Sequence, residues 1–127
     1  MAVRGIGIDV CKVERIAESL ERFGARMERR LFTPDELTYC RGFKDPLPHL
    51  AARFAAKEAA SKALGTGIAG GVGWTQIEVV QPGGRVPTLR FSGVALDRFR
   101  SMGATSAHLS ISHDGGLGVA CVVLEGE

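Results

Sequence analysis

The stretch LPHLAARFAAKEAASKALG, residues 47–65, constrains the fold more than any other part of the chain. Its Ala, Leu, Lys and Glu are strong helix formers, and a glycine follows them, so one long helix ending at Gly65 is predicted. Ala55, Ala56, Ala59, Ala60 and Ala63 make a broad face of small residues on that helix. Such a face suits close packing on a sheet rather than a loose leucine-rich contact. At roughly 100° per residue, Glu58 and Lys62 fall on one side, with Arg53 and Lys57 together on a neighbouring side. The plain reading of Glu58 and Lys62 is a solvated i, i+4 pair of about 0.3–0.5 kcal/mol. The other reading is a working carboxylate and ammonium, and the helix alone does not choose between them.

The sheet that this helix requires is legible on both sides of it. AVRGIGIDV alternates, with Ile6, Ile8 and Val10 on one face and Gly5, Gly7 and Asp9 on the other, the period of a strand. A helix follows, with Val13, Ile16, Ala17, Leu20 and Phe23 at helical spacing and Gly24 as its expected stop. TPDELTYC carries Thr33 as N-cap, Pro34 at the first helical position and Glu36 three residues after the cap, a capping box. Beyond a glycine-rich loop, WTQIEVVQP and RVPTLRFS read as a hairpin around Gly83–Gly84. GVALDRFRSMG reads as a further helix capped by Ser92. HLSISHD and LGVACVVLE read as two strands joined at Asp114–Gly115–Gly116. The expected order is β-α-α-α-β-β-α-β-β, an α+β fold with a mostly antiparallel sheet packed on the long helix. Residues 1–127 are expected to form a single domain, a length sufficient for one core.

Composition narrows the function. A formal charge of +2 and few aromatics argue against nucleic-acid binding. Three scattered cysteines with no C-x-x-C pattern indicate neither a zinc site nor a disulfide framework. Reduced thiols fit the cytoplasm. Nothing reads as a secretory signal or reaches membrane-spanning length.

The candidate chemistry lies in three places. Asp9 shares a strand face with glycines, so it either caps the next helix or is a poorly solvated carboxylate awaiting a partner. Glu58 and Lys62 are described above. His113, at the end of a strand, can bind phosphate, transfer a proton or hydrogen-bond locally. The loop Gly65–Gly73 lacks a Walker pattern and follows the negative end of a helix dipole, so its first role is to end that helix. Two carboxylates suit a hard cation such as magnesium, and Lys62 and Arg53 suit phosphate oxygens. Residue types thus point to a transferase or hydrolase acting on a phosphate substrate.

GIGIDV, RFAAKEAASKALG and LSISHD, in that order, resemble the 4′-phosphopantetheinyl transferases. Phe54, Lys57, Glu58 and Lys62 fill the central pattern of that family, and RLFTPDELTYC resembles its intervening segment. The short chain resembles the short class, with one copy of the fold. This family moves the 4′-phosphopantetheine arm of coenzyme A onto a serine of apo-acyl carrier protein, releasing adenosine 3′,5′-bisphosphate. The resemblance implies a magnesium ion, with manganese as the alternative, held by Asp9 and Glu58. It implies that Lys62 contacts the phosphates and that Arg53 and His113 bind coenzyme A, the 3′-phosphate being one target. Gly65, Thr66 and Gly67 would line the ligand by backbone approach, and Asp114 would stand in the outer metal shell. Deprotonation of the serine is left open among Glu58, Asp9 and a metal-bound water. The acidic carrier protein would dock on Arg15 and Arg22, one heptad apart, with Arg26 assisting. The family likeness also implies a homotrimer with sites at subunit boundaries. A metal-dependent nucleotide pyrophosphate hydrolase and a non-catalytic carrier-protein-binding module are the competing readings.

Overall fold

The computed structural model describes residues 1–127. Its elements are β1 (Ala2–Lys12), α1 (Val13–Leu31), α2 (Pro34–Arg41), α3 (Leu47–Leu64), β2 (Ile77–Val80), β3 (Thr88–Phe91), α4 (Gly93–Ser101), β4 (Ser106–Asp114) and β5 (Leu117–Gly126). This is the expected α+β order. The antiparallel strands divide into two sheets, a three-stranded one ordered β1-β5-β4 and the separate hairpin β2-β3. Between β4 and β5 the turn is Gly115–Gly116, with φ of 56° and 79°. Two positive φ values in a two-residue turn match the twist of the strands they join.

Helix α3 lies against the three-stranded sheet at backbone distance. A Cβ on Gly7 would stand 1.9 Å from the Ala59 carbonyl oxygen, and one on Gly5 2.1 Å from that of Ala63. One on Gly118 of β5 would meet the Ala51–Ala52 peptide at 2.7 Å. The glycines of the strands and the alanines of the helix are therefore two halves of one contact. Ala51, Ala52, Ala55, Ala56, Ala59, Ala60 and Ala63 are all buried.

The opposite side of α3 is covered by α2 and the β2-β3 hairpin, and a buried ion pair joins them. Lys57 Nζ lies 2.6 Å from Glu36 Oε1, with both side chains fully buried. The ammonium also donates to the carbonyls of Trp74 and Ile77, at 3.0 and 2.8 Å. Glu36 Oε1 accepts from Thr33 N–H and Oε2 from Val79 N–H, each at 2.8 Å. Every polar site of this pair that geometry can reach is occupied, which is the condition for tolerating charge in an apolar interior. Glu36 thus closes the predicted capping box of α2 and anchors α3 at once.

Three local expectations are corrected. Gly24 does not end α1; its φ of 63° and ψ of −149° break the helix, which resumes and runs to Leu31. Met27 and Leu31 continue the apolar spacing beyond the glycine, so the second segment has a face to bury. Ser92 stands at the N-cap position of α4 without a side-chain cap bond; Gln76 Oε1 accepts from Ala95 N–H at 3.0 Å instead. Residues 74–76 form a single 3-10 turn rather than the start of β2, which brings Gln76 to that position.

The sheet has a second face. Ile6, Ile8 and Val10 are 66%, 62% and 51% exposed, and they pair across to Val123, Cys121 and Val119 of β5. β5 thus serves both faces: Ala120, Val122 and Leu124 are in the core, while the alternate residues extend an apolar strip on the outside. No helix is long and apolar enough to cross a membrane.

Candidate functional site

Asp9 sits on the helix-facing side of β1, where neighbouring Gly7 lets α3 come close. It is not a helix cap, because α1 starts at Val13 with Lys12 at its N-cap. Its partner is Lys62, whose ammonium lies 3.0 Å from Asp9 Oδ1 and 3.1 Å from the Ile8 carbonyl oxygen. The reading of Lys62 as half of an ordinary intrahelical pair is thereby replaced by a contact between helix and strand. Glu58 stands one turn before Lys62. Burial pushes its carboxyl group above the usual carboxylate range and the charge of Asp9 pushes the same way, while Lys62 and Arg15 oppose the shift. The charge of Arg15, in the first turn of α1, thus acts on Glu58 without an ion pair joining the two.

Arg15 also lines a mainly apolar cleft of about 270 Å³, together with Ile16, Met27, Phe54 and Trp74. Cys11 shares that lining, but burial raises its thiol to about 11, so it stays protonated and is no nucleophile at neutral pH. No cluster of three or more His, Cys, Asp and Glu side chains is arranged to hold a metal. Two carboxylates are nevertheless a fitting donor set for magnesium, which usually keeps waters and takes substrate phosphates as its other ligands. The mutual charge of Asp9 and Glu58 favours a cation between them.

Arg53 and His113 do not join that cluster within one chain. Arg53 and Lys62 are nine residues apart, about two and a half turns, and so project from opposite flanks of α3. Asp9 and His113 are likewise on the two outer strands of the sheet, β1 and β4, with β5 between them. Arg53 is only 2% exposed. Its guanidinium carbon lies 4.1 Å above the Tyr39 ring, and Nη2 donates to Gln81 Oε1 at 3.2 Å. Together Tyr39, His49, Arg53, Gln81, Ser112 and His113 border a cleft of about 200 Å³. Asp114 is on this side as well, beside His113 in an adjoining cleft with Asp45, so within one chain it is not an outer-shell neighbour of Asp9 and Glu58.

The loop after α3 also differs from expectation in detail. Gly65 caps the helix with φ of 79°. The N–H groups of Thr66 and Gly67 both donate to the Ser61 carbonyl, at 3.3 and 3.1 Å, and that of Gly65 to Lys62 at 2.9 Å. These three residues offer a ligand close approach, but their N–H groups are already engaged. The docking candidates Arg15 and Arg22 are exposed and precede the break at Gly24, so they keep one helical phase. Arg26 follows the break and is not in register with them.

Residues that the sequence reading did not single out complete the β4 side. His49 is one turn before Arg53, a spacing that the helix phase already puts on the same flank. Gln81 and Tyr39 come from other elements and carry no sequence signal for this role.

An α+β fold with two carboxylates, an adjacent lysine and a second cleft holding a buried arginine suits the handling of a phosphate substrate. A family model described as the 4′-phosphopantetheinyl transferase superfamily matches residues 5–120. A holo-[acyl-carrier-protein] synthase of Koribacter versatilis is 49% identical over 124 residues, covering 97% of this chain and 98% of that protein. Among solved structures, the holo-[acyl-carrier-protein] synthase of Neisseria meningitidis superposes with a TM-score of 0.86 at 35% identity, covering 98% of this chain and 99% of that one. The Helicobacter pylori enzyme of the same name, in complex with coenzyme A, gives 0.83 at 32% identity, over 94% and 99% of the two chains. The chain belongs to the 4′-phosphopantetheinyl transferase superfamily, in its holo-[acyl-carrier-protein] synthase family.

Proposed function

We propose that this enzyme transfers 4′-phosphopantetheine from coenzyme A to a serine of apo-acyl carrier protein, releasing adenosine 3′,5′-bisphosphate, with magnesium held by Asp9 and Glu58. The single observation that carries this reading is the convergence of Asp9, Glu58 and Lys62 where β1 meets α3. A bound magnesium would neutralise charge on the pyrophosphate. Asp9 and Glu58 supply the oxygen ligands. Lys62, positioned between Asp9 and the Ile8 carbonyl, offers its ammonium to the phosphate oxygens. The serine hydroxyl gives up its proton to Glu58, Asp9 or water, its oxygen forms the bond to the phosphorus that bears the pantetheine arm, and the bond from that phosphorus to the bridging oxygen breaks, releasing the bisphosphate. The nucleophile is the partner's, which agrees with a site holding no activated Ser or Cys of its own. Alignment and charge neutralisation supply the acceleration.

Arg53 and His113 serve as anion-binding residues for the 3′-phosphate. Because they stand on the flank away from Asp9, a complete site takes the β1 side of one copy and the β4 side of the next. The exposed strip of Ile6, Ile8 and Val10 supports self-association, since apolar side chains grouped on one sheet face mark an interaction surface. Edge-to-edge use of two different surfaces is a heterologous contact, and three copies close it into a ring. Arg15 and Arg22 form the docking face for the acidic carrier protein, and Arg15 links that face to Glu58. The reaction belongs to carrier-protein priming for fatty-acid synthesis in the cytoplasm.

The test is intact-mass analysis of an apo-acyl carrier protein incubated with this protein, coenzyme A and magnesium, beside a chelator control. The expected result is a gain of one phosphopantetheine that chelator abolishes. Nucleotide release without carrier modification would replace the transferase reading with a hydrolase.

A further inference from the structure

His49 lines the Arg53 cleft and is held there by aromatic contacts on two sides. Its ring stacks on Phe43, with centroids 3.6 Å apart and planes 13° from parallel. Its edge meets His113, with centroids 4.9 Å apart at 69°. Phe43 in turn packs edge-on against Tyr39 at 5.3 Å, the ring beneath the Arg53 guanidinium. Four rings and a guanidinium therefore form one connected wall, contributed by α2, α3, β4 and the segment that joins α2 to α3.

That wall holds a guanidinium that no carboxylate of the chain pairs with. Arg53 is nearly wholly buried, and its Nε has no hydrogen-bond partner. A buried guanidinium N–H left unpaired is costly, which points to an acceptor from outside the chain. Burial, His113 and Arg53 all hold the His49 ring below its ordinary value, and Asp45 alone acts in the opposite sense. Asp45 and Asp114 lie in the adjoining cleft, together with His113. Two imidazoles in edge contact beside a fixed guanidinium suit an anion carrying more than one negative charge. A phosphate monoester does so near neutral pH, whereas a phosphodiester or a carboxylate carries one. Coenzyme A has one such group, its 3′-phosphate.

We infer that His49 is a selectivity residue of this cleft, donating a ring N–H to a terminal phosphate monoester beside His113 and Arg53. The inference rests on the coenzyme A reading above and deepens it. His49 does not touch the reacting pyrophosphate in this scheme, so it acts on substrate choice and affinity and not on the chemical step. The cleft then distinguishes coenzyme A from 3′-dephospho-coenzyme A largely through three N–H-donating side chains rather than two.

The experiment is calorimetric titration of coenzyme A and of 3′-dephospho-coenzyme A into the wild-type protein, His49→Phe and His49→Gln. Steady-state transfer to carrier protein is measured alongside. Phe keeps the stack on Phe43 and removes the ring N–H; Gln keeps a donor and loses the ring. Both variants are checked for an unchanged unfolding transition, and whichever of them folds is sufficient for the comparison. The expected result is a Kd for coenzyme A raised about tenfold in His49→Phe, the worth of one charge-assisted hydrogen bond. His49→Gln should lose less. The Kd for 3′-dephospho-coenzyme A and the kcat at saturating coenzyme A should stay at wild-type values in both. Equal weakening of the two ligands, or no weakening of either, overturns the role of His49 while leaving the transferase reading intact. Failure of the wild-type protein to bind coenzyme A at all overturns both.

Discussion

The buried pair Lys57–Glu36 allows a quantitative test of what holds α3 in place. Lys57→Met keeps the volume and removes the ammonium, leaving the Trp74 and Ile77 carbonyls and one side of Glu36 without their donor. Glu36→Gln looks conservative and is not. Both carboxylate oxygens accept backbone N–H groups, from Thr33 and Val79, so one face of the amide must set N–H against N–H. Removing one partner of a buried ion pair costs about 3–5 kcal/mol. For a chain of this length that is a fall in Tm of roughly 10–20 °C. The double variant Lys57→Met/Glu36→Gln removes both charges together, and its loss should be smaller than the sum of the two single losses by about 1–3 kcal/mol. It should not return to wild-type stability, because the Trp74 and Ile77 carbonyls and one of the two backbone N–H groups still lack partners. Urea denaturation at pH 7 measures all three, with the m-value as a check that the unfolded states are comparable. Single losses below about 1 kcal/mol, or strict additivity, would refute the claim that this pair ties α3 to α2 and the hairpin.

Glu58→Gln should abolish transfer yet stabilise the free protein. The folded-state pKa of Glu58 is raised above its ordinary value of 4.5, so its stabilising contribution is full below that value and is lost as pH rises through the folded pKa. The variant should therefore melt above wild type at pH 7, with the gain vanishing below pH 4.5; a lower Tm at pH 7 would contradict the environment assigned to it. Arg15→Glu should raise the KM for carrier protein at least tenfold at low ionic strength and flatten its dependence on salt; a KM as in wild type would remove α1 as the docking face. Ile8→Asp, on the exposed strip, should yield monomers in sedimentation and, with them, loss of activity; an active monomer would refute a site shared between copies.

Most of the fold is legible because local signals and tertiary packing agree. The alanines of α3 and the glycines of β1 are read separately, by helical and strand period, and they prove to be the two sides of one contact. The Gly115–Gly116 turn is likewise a local fact with one structural outcome. What escapes is set by distance along the chain. Glu36 and Lys57 are 21 residues apart, and no period links a capping-box glutamate to a lysine on another helix. Gly24 reads as a stop because the local rule does not see that Met27 and Leu31 have a surface to bury. The site divides in the same manner. Asp9 meeting Lys62 depends on α3 crossing β1, which no sequence spacing encodes. The opposed flanks of Arg53 and Lys62 follow from helical phase, as does the shared flank of His49 and Arg53, whereas a common affinity for phosphate carries no information about flank.

The contact of α3 with the sheet also bears on how this chain can change over time. Most helices rest on side chains, so each exchange of a core leucine for an isoleucine shifts them a little. Here the spacing is set by main-chain atoms meeting main-chain atoms at Gly5, Gly7 and Gly118. Drift elsewhere in the core is thereby insulated from the relative positions of Asp9, Glu58 and Lys62. The cost is rigidity of choice: those three positions accept no side chain at all, and the alignment of the reacting groups is inherited from the backbone itself.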